Sequence, residues 1–421
     1  MSNYEKQKET VRDLAKKIAE IASMPIQRKT LKEWKSLNSL APVRPMFIID
    51  QFYWADLVCD ELKCECEDGF LRGFEWNFKS QLYRWKHIQD DKVIFPEVRI
   101  DKCVNVLTPQ GMEWKTKRIG ETHAMVTNED LLQTEDDIEN IKFLEISVDE
   151  EKSREYFAKV EELFDGILTV RQSGFTGYAA PWDNISLWHG VENSIEDLID
   201  RPEFIHKVLE RTFGVWLGAV DEYEKHGLIG VGEPYIHYSG TFTDELPGFN
   251  GENEEYLKKF RHSAKNAWTM GMAQIFSMVS PEIHLEFEIE YQKKYYSRFG
   301  LGYYGCCEPL DKKIHIVRQI PNVRKISMSP WVDMEKGAEA MEGDYVFSRK
   351  PSPAFLANNS AWDADAVRKD LEDACQIAGK YGNPCEFILK DITTLGGKPE
   401  RLWEWAKIAA EVCGRGQFIE D

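Results

Sequence analysis

The stretch Pro45-Met46-Phe47-Ile48-Ile49-Asp50-Gln51 sets the pattern from which the fold is predicted. It is a short apolar run that begins at a proline and ends in polar groups, which is typical of a strand buried on both faces. Later segments repeat this pattern, each short, rich in β-forming residues and ended by polar side chains. They are residues 92–99, 166–171, 234–239, 302–306, 323–329, 345–349 and 386–391. Together these segments predict eight strands.

Segments of helical periodicity separate the predicted strands. Residues 195–226 and 365–380 repeat apolar side chains every three or four positions, and a last helix is predicted to begin at Pro399. Strands that alternate with helices predict a parallel sheet, and eight of them predict an α/β fold of the (β/α)8 TIM-barrel class. An open doubly-wound sheet uses the same local patterns, usually with fewer strands, and is the alternative.

The chain is predicted to have an N-terminal helical extension, residues 1–40, followed by the barrel, residues 41–421. The extension is predicted from an apolar helical stripe over residues 4–22. The charged stretch 103–165 is predicted to be an insertion that covers the barrel mouth. We find no internal repeat or flexible linker that would suggest another division.

Composition excludes several classes of protein. The 421 residues are 43% hydrophobic and 30% charged, as in a well-buried globular protein. The net charge of -19, from 53 Lys and Arg against 72 Asp and Glu, disfavours nucleic acid as a partner. No apolar run approaches the roughly 18 residues of a membrane span, and nine cysteines without a paired pattern indicate reduced thiols. We therefore expect a cytoplasmic protein with no membrane partner, and a homo-oligomer stays open.

The segment Gly302-Tyr303-Tyr304-Gly305-Cys306-Cys307-Glu308 is the leading candidate for chemistry, because barrel enzymes place catalytic groups at the carboxyl ends of strands. Side chains alternate along a strand, so Tyr304, Cys306 and Glu308 are predicted to share the mouth-facing side and Cys307 to point away. A thiolate and a carboxylate can both bind Zn²⁺. The alternative is that both cysteines only pack.

Other predicted strands also end in functional side chains. His237 suits metal binding or proton transfer near neutral pH, and structural hydrogen bonding is its alternative role. Fixed charges near strand ends can orient a polar substrate. The candidate substrate-binding residues are Asp50, Arg349, Lys350 and Asp391, together with Trp182 of an aromatic, glycine-rich loop suited to a flat apolar ligand.

In segment order, residues 40–415 resemble the uroporphyrinogen decarboxylase superfamily, which includes zinc-dependent methyltransferases that work with corrinoid proteins or coenzyme M. The resemblance is carried by Ser173-Gly174-Phe175-Thr176-Gly177 through Gly190, which is similar to the family's loop after its third strand. Ser280-Pro281-Glu282 and the helix after it are similar to the segment before the family's metal-bearing strand.

In the methyltransferase branch that strand carries a His-x-Cys-Gly pattern, and a further cysteine follows the last strand. Here Tyr304 and Cys306 stand at the matching positions, and the last strand ends in Lys390-Asp391 without a cysteine. Only Cys306 carries over directly. The decarboxylase's arginine-rich motif is not reproduced near Arg44, which disfavours a porphyrinogen substrate.

The resemblance implies a methyltransferase that moves a methyl group from a small O-, N- or S-methyl donor, such as an aryl methyl ether, to the cobalt of a corrinoid on a partner protein. Zinc would act as a Lewis acid, bound by Cys306, Glu308 and His237. His237, Tyr304 and Glu308 are the expected catalytic residues. A cofactor-free decarboxylase and a binding subunit without catalysis are the alternatives.

Overall fold

The structure, a computed structural model, describes residues 2–57, 59–114, 116–119, 125–247, 263–357 and 362–416. Its first helix, residues 3–23, confirms the helix predicted over residues 4–22. The longer helices of the fold are α1 (Asn3–Ser23), α2 (Pro25–Asn38), α3 (Gly69–His87), α4 (Glu150–Phe164), α5 (Pro181–His189), α6 (Val191–Asp200) and α7 (Pro202–Lys225). Later helices are α8 (Pro281–His284), α9 (Glu290–Tyr296), α10 (Ile314–Val317), α11 (Met334–Met341), α12 (Ala354–Ala357), α13 (Ala364–Lys380) and α14 (Glu400–Val412).

The strands are shorter than the helices. Those before the middle of the chain are β1 (Met46–Ile49), β2 (Glu97–Ile100), β3 (Val104–Thr108), β4 (Thr116–Ile119), β5 (Met125–Asn128), β6 (Glu145–Val148), β7 (Thr169–Gln172) and β8 (Gly177–Ala179). The later ones are β9 (Tyr235–Ile236), β10 (Ser239–Gly240), β11 (Trp268–Gly271), β12 (Leu301–Tyr304), β13 (Val323–Met328), β14 (Val346–Arg349) and β15 (Cys385–Leu389).

Seven parallel strands form the central sheet, in the order β1-β15-β14-β13-β12-β11-β8. This confirms the predicted α/β class and the parallel sheet. Every residue of β1, β12, β14 and β15 is buried, as expected of strands covered on both faces. Closure of the sheet into a barrel stays a prediction.

Three of the eight predicted strands take other places. Residues 166–171 overlap β7, which pairs with β2 in a separate two-stranded parallel sheet, and no strand is found over 92–95. Residues 234–239 fold as the hairpin β9–β10. The central sheet instead uses β8 and β11, which were not predicted because Gly177-Tyr178-Ala179 and Trp268-Thr269-Met270-Gly271 are short and contain glycine.

A loop that contains Asp90 and Asp91 covers the edge of β1 that faces away from β15. The Asp90 and Asp91 carboxylates accept hydrogen bonds from the backbone N–H groups of Ile49 (3.0 Å) and Phe47 (2.9 Å). The Asp91 N–H donates to the Phe47 carbonyl at 2.9 Å. These bonds satisfy polar groups that an unpaired edge would leave exposed.

The two faces of the sheet pack against different layers. Alternate residues such as Phe47, Tyr304 and Phe387 belong to the large apolar core shared with the surrounding helices. Met46 and Ile48 lie on the opposite face, where they pack with Trp34 of α2. We call this opposite face, which also carries Tyr303, Lys325, Ser327, Ser348 and Glu386, the inner face.

The helices predicted over 365–380 and from Pro399 are confirmed as α13 and α14, whereas the one predicted over 195–226 differs. The helix predicted over 195–226 is two helices, α6 and α7, because Pro202 starts a new helix at its first position. The charged stretch 103–165 contains two antiparallel strand pairs, β3–β6 and β4–β5, and helix α4. Among the described residues, none of the helices combines the length and apolar character that crossing a bilayer requires.

Candidate active site

Polar residues line the inner face with the period of a strand. Lys325 lies at its centre, fully buried, with its ammonium group 3.0 Å from the Glu386 carboxylate. The same ammonium donates to the Ser239 hydroxyl at 2.6 Å and to the Gly240 carbonyl at 3.0 Å. Lys325 therefore ties strands β13 and β15 to the β9–β10 hairpin, which is a structural role.

Lys350 follows β14 on the same face and has different partners. Its ammonium donates to the Tyr303 hydroxyl at 2.8 Å and to the Ser327 hydroxyl at 2.6 Å, both of which are neutral. Among the described residues no carboxylate forms an ion pair with it. Burial lowers the pKa of Lys350 to about 8, against the opposite effect of Cys306. A lysine with this pKa can give or take a proton near neutral pH.

Cys306 and Cys307 lie at the end of β12, next in the chain to Tyr303 and Tyr304. Their sulfur atoms are 3.5 Å apart, so the prediction that Cys307 points away from Cys306 is wrong. The reason is Gly305, whose φ of 92° ends the strand before the cysteines. Strand alternation does not extend past that residue, and both thiols therefore come together.

The two thiols differ in ionisation. The hydrogen bond from Cys306 lowers the pKa of Cys307 to about 7, and Lys390 and Lys350 add to this effect while burial opposes it. The same hydrogen bond, followed by burial, raises the pKa of Cys306. Cys307 is the more exposed of the two. It is therefore the thiolate of the pair, and Cys306 is the donor.

Glu308 is fully buried and is held by the backbone. One carboxylate oxygen accepts from the Ala273 N–H and the other from the Cys306 N–H, both at 3.0 Å. Within the described part of the chain, no group of three or more His, Cys, Asp or Glu side chains is arranged to hold a metal ion. The predicted set of Cys306, Glu308 and His237 thus does not fit a ready-made zinc site.

Tyr304 lies on the opposite side of the sheet from Cys306. Its hydroxyl is 2.8 Å from His284 Nε2 and its ring belongs to the helix-facing core. Tyr303 instead packs with Cys306 on the inner face. The predicted common face of Tyr304 and Cys306 is wrong, because the chain turns at Gly305.

His237 occupies the tip of the β9–β10 hairpin. His237 and Tyr238 both have positive φ, 46° and 66°, as in the two-residue turns that normally contain Asn or Gly. Such a conformation costs about 1–2 kcal/mol for each residue that has a β-carbon. The His237 ring lies 5.2 Å from the Tyr303 ring, and its Nε2 atom is buried without a hydrogen-bond partner. Burial, then Lys350 and Lys390, lower the pKa of His237, so the ring is neutral.

Two predicted substrate-binding residues have other partners. Asp50 pairs with Lys92; burial opposes its ionisation, but Lys92 and Arg84 lower the pKa of Asp50. Trp182 is fully buried, and its indole N–H donates to the Phe287 carbonyl at 3.0 Å. Neither residue is brought to the thiol pair by a described contact.

The charged residues at the ends of β14 and β15 are divided between the two faces. Arg349 donates to the Ser329 carbonyl at 2.6 Å and contacts Asp370 of α13 at 3.2 Å, so it is on the helix-facing side. Asp391 is exposed and lies 2.5 Å from the Lys390 ammonium. Cys306 and Asp391 raise the pKa of Lys390, although burial opposes its charge.

Sequence reasoning did not assign roles to Tyr303, Lys390 and Asp183. Lys390 and Tyr303 occupy polar positions that alternate with apolar ones along a strand. This alternation is visible in the sequence, as in Lys325-Ile326-Ser327 and Glu386-Phe387-Ile388-Leu389-Lys390. Asp183 accepts from the Gln274 amide at 3.2 Å, and burial raises the pKa of Asp183 to about 6. We call Cys306, Cys307, Lys350, Lys390 and His237 the thiol–lysine site.

A sizeable cavity lies elsewhere. Its volume is about 770 Å³, and it lies between α3 and β2, with Arg99 and Tyr235 in its lining. None of the predicted site residues lines it. We place the candidate active site by its chemistry instead, since the two thiols are 3.5 Å apart and the buried Lys350 and Lys390 both act on their pKa values.

Comparisons with known proteins do not assign a family. No family model matches the chain, and no curated protein matches it. Among solved structures, a methyltransferase from Methanosarcina mazei is similar at 11% identity, over 92% of this chain and 98% of that chain. The TM-score of this similarity is 0.45, a level that establishes neither family nor function.

Proposed function

We propose that the protein is a methyltransferase that takes a methyl group from a small methylated donor and passes it to a corrinoid carried by a separate protein. The observation that supports this most is the contact of two thiols, 3.5 Å apart, on the face that carries Lys350. A thiolate is a metal ligand and a nucleophile towards methyl groups. An ammonium group can protonate a departing heteroatom.

The residues of the chain would prepare the donor for attack. Lys350, held by Tyr303 and Ser327, would face the heteroatom that loses the methyl group and deliver a proton to it. Cys307 would provide negative charge that keeps Lys350 protonated until that step. Burial of Lys350 and Cys306 would exclude water from the transfer.

Zinc enters this proposal only as an ion that the Cys306 and Cys307 thiolates would hold, and no step is assigned to it. Glu308 is engaged by two backbone N–H groups and therefore orients Ala273 and Cys306. Metal analysis of the wild type, Cys306→Ser and the distant Cys103→Ser tests this part. Zinc that is present in the wild type and Cys103→Ser but lost from Cys306→Ser would make Cys306 a ligand, and an unchanged metal content in Cys306→Ser would remove it as one.

The activity itself is tested with a methyl ether, a methylamine and a methyl sulfide, each supplied with a reduced corrinoid protein. We expect the cobalt absorbance to change and the demethylated product to appear in equal amounts. A variant with Cys306→Ser and Cys307→Ser should lose this activity. Release of CO2 from an aromatic acid, with no methyl transfer from any donor, would instead support the decarboxylase alternative.

A further inference from the structure

We infer that Cys306 and Cys307 are a site of reversible oxidation, at which a small disulfide such as oxidised glutathione converts the two neighbouring thiols into a disulfide. The oxidation itself does not depend on the proposed methyl transfer. The inference comes from three features of the pair: the contact of its sulfur atoms, the backbone bonds that hold it, and the unequal exposure of the two thiols.

The contact of the sulfur atoms distinguishes this pair from the other cysteines. All nine cysteines lie within the described residues and are free thiols. The sulfur atoms of Cys306 and Cys307 are 3.5 Å apart, against about 2.0 Å in a disulfide. A small movement of the two side chains therefore separates the contact from a covalent bond.

The backbone around the pair keeps the two thiols together. Gly305 has a φ of 92°, which glycine adopts readily, and the strand ends at this turn before the cysteines. The Cys306 N–H donates to the Glu308 carboxylate at 3.0 Å, and the Cys306 carbonyl accepts from the Ser327 hydroxyl at 2.7 Å. These bonds fix the backbone of Cys306, so the thiols are already in contact when an oxidant arrives.

The two thiols are exposed unequally. Cys306 is only 4% exposed, whereas Cys307 is partly exposed. A small disulfide can therefore reach the sulfur of Cys307 more easily than that of Cys306. A redox-sensing cysteine is typically accessible and lies next to a second cysteine that resolves its adduct. Cys307 has the first of these roles and Cys306 has the second.

The oxidation balances in two exchange steps. The Cys307 thiolate attacks one sulfur of the small disulfide and forms a mixed disulfide, and the other half of the small disulfide leaves as a thiolate. Cys306 then loses its proton and attacks the Cys307 sulfur, which releases the second half as a thiolate. The cysteine pair loses two electrons and two protons, and the small disulfide becomes two thiols.

Covalent geometry makes this disulfide easy to reduce. The Cα atoms of adjacent residues are about 3.8 Å apart, whereas those of ordinary disulfides are about 4.4–6.8 Å apart. A bond between Cys306 and Cys307 would therefore be strained, and strained disulfides are the labile and regulatory ones. The oxidised pair has no thiolate, so oxidation should also stop methyl transfer. This consequence alone rests on the proposed function.

Mass spectrometry of the full-length protein tests the inference. The protein is reduced, treated with a chelator so that no metal protects the thiols, and incubated with oxidised glutathione without denaturant. We expect peptide mapping to show the loss of both thiols to a Cys306–Cys307 disulfide, and excess reduced glutathione to restore them. Cys306→Ser should stop at a glutathione adduct on Cys307, and Cys307→Ser should keep its Cys306 thiol free. Cys103→Ser is the control, in which the pair should be oxidised as in the wild type.

The outcomes separate this inference from the proposed function. A lasting glutathione adduct on wild-type Cys307, two unmodified thiols, or a disulfide between Cys64 and Cys66 in place of the pair would each overturn the inference. So would a disulfide that excess reduced glutathione does not reverse. Reversible oxidation of the pair in a protein that transfers methyl groups from no donor would support the inference and reject the methyltransferase.

Discussion

Two buried lysines on the inner face, Lys325 and Lys350, have opposite kinds of surroundings. Lys325 contacts a carboxylate, a hydroxyl and a carbonyl, and these bonds connect β13, β15 and the base of the β9–β10 hairpin. Lys350 donates to two hydroxyls, without an ion pair to a carboxylate among the described residues, and it lowers the pKa of His237 at the tip of that hairpin. The first arrangement pairs the ammonium group with a carboxylate, whereas in the second both hydrogen-bond partners of the ammonium group are neutral.

Burial alone does not distinguish a structural lysine from a functional one. Both side chains are almost inaccessible, and burial is the main factor that lowers the pKa of each. What separates them is the identity of their partners, because a buried ammonium matched by a carboxylate is a structural element. A buried ammonium matched by neutral groups is the stronger candidate for function.

The largest expected effect is on the activity of Lys350→Met. Removing a proton donor from the departing heteroatom should slow methyl transfer about 10²- to 10⁴-fold. Stability should hardly change, because the Tyr303 hydroxyl keeps Ser348 at 2.8 Å and the Ser327 hydroxyl keeps the Cys306 carbonyl at 2.7 Å. Single-turnover rates and urea denaturation measure the two quantities. Wild-type activity in Lys350→Met would show that Lys350 has no role in the reaction, so that it would not differ in function from Lys325.

The next effect is on the stability of Lys325→Met. This change leaves the Glu386 carboxylate buried without its cation, which should lower the free energy of unfolding by about 3–5 kcal/mol in urea denaturation. The double variant Lys325→Met with Glu386→Met should recover most of this loss, because no charge then stays unpaired. A double variant no more stable than the single one would contradict this account of Lys325.

The third effect concerns the thiolate next to Lys350. Because the pKa of Cys307 is lowered to about 7, its alkylation by iodoacetamide in zinc-free protein should rise with pH around a midpoint of about 7. The thiolate is the reactive form, so the rate is low below this midpoint and constant above it. Lys350→Met removes a stabilising positive charge and should move the midpoint upwards.

Mass spectrometry assigns the alkylated residue, and Cys307→Ser is the control that should lose the reaction. A wild-type midpoint near 9, the ordinary value for a thiol, would show that neither the hydrogen bond from Cys306 nor the lysines lower the pKa of Cys307. In Lys325→Met we expect the midpoint of Cys307 alkylation to stay at its wild-type value, because the charge of Lys325 is paired with the Glu386 carboxylate. This result would show that, of these two lysines, only Lys350 acts on Cys307.

The sequence predicted the parallel α/β class and the segment at residues 302–308 because both depend on local patterns: apolar runs and a strand end. It could not predict β8 and β11, whose pairing depends on neighbouring strands rather than on their own residues. The meeting of Cys306 with Cys307 depends on the positive φ of Gly305, a single backbone angle. Arg349 and Lys350 are adjacent charges in the sequence, and their contacts, with Asp370 of α13 and with Tyr303, are what assign them to opposite faces.

The smallest effect is at the hairpin tip. Tyr238→Gly should stabilise the protein by about 1 kcal/mol, because glycine adopts a φ of 66° without the cost that tyrosine has there. The bonds of Lys325 to the hairpin base are untouched, so the gain reports the tip alone. Thermal and urea denaturation against Tyr4→Gly, an exposed residue in α1 where glycine should destabilise, measure this difference. Lower stability in Tyr238→Gly would mean that the contacts of the tyrosine side chain outweigh the backbone strain. Packing would then hold the tip of the hairpin, as the hydrogen bonds of Lys325 hold its base.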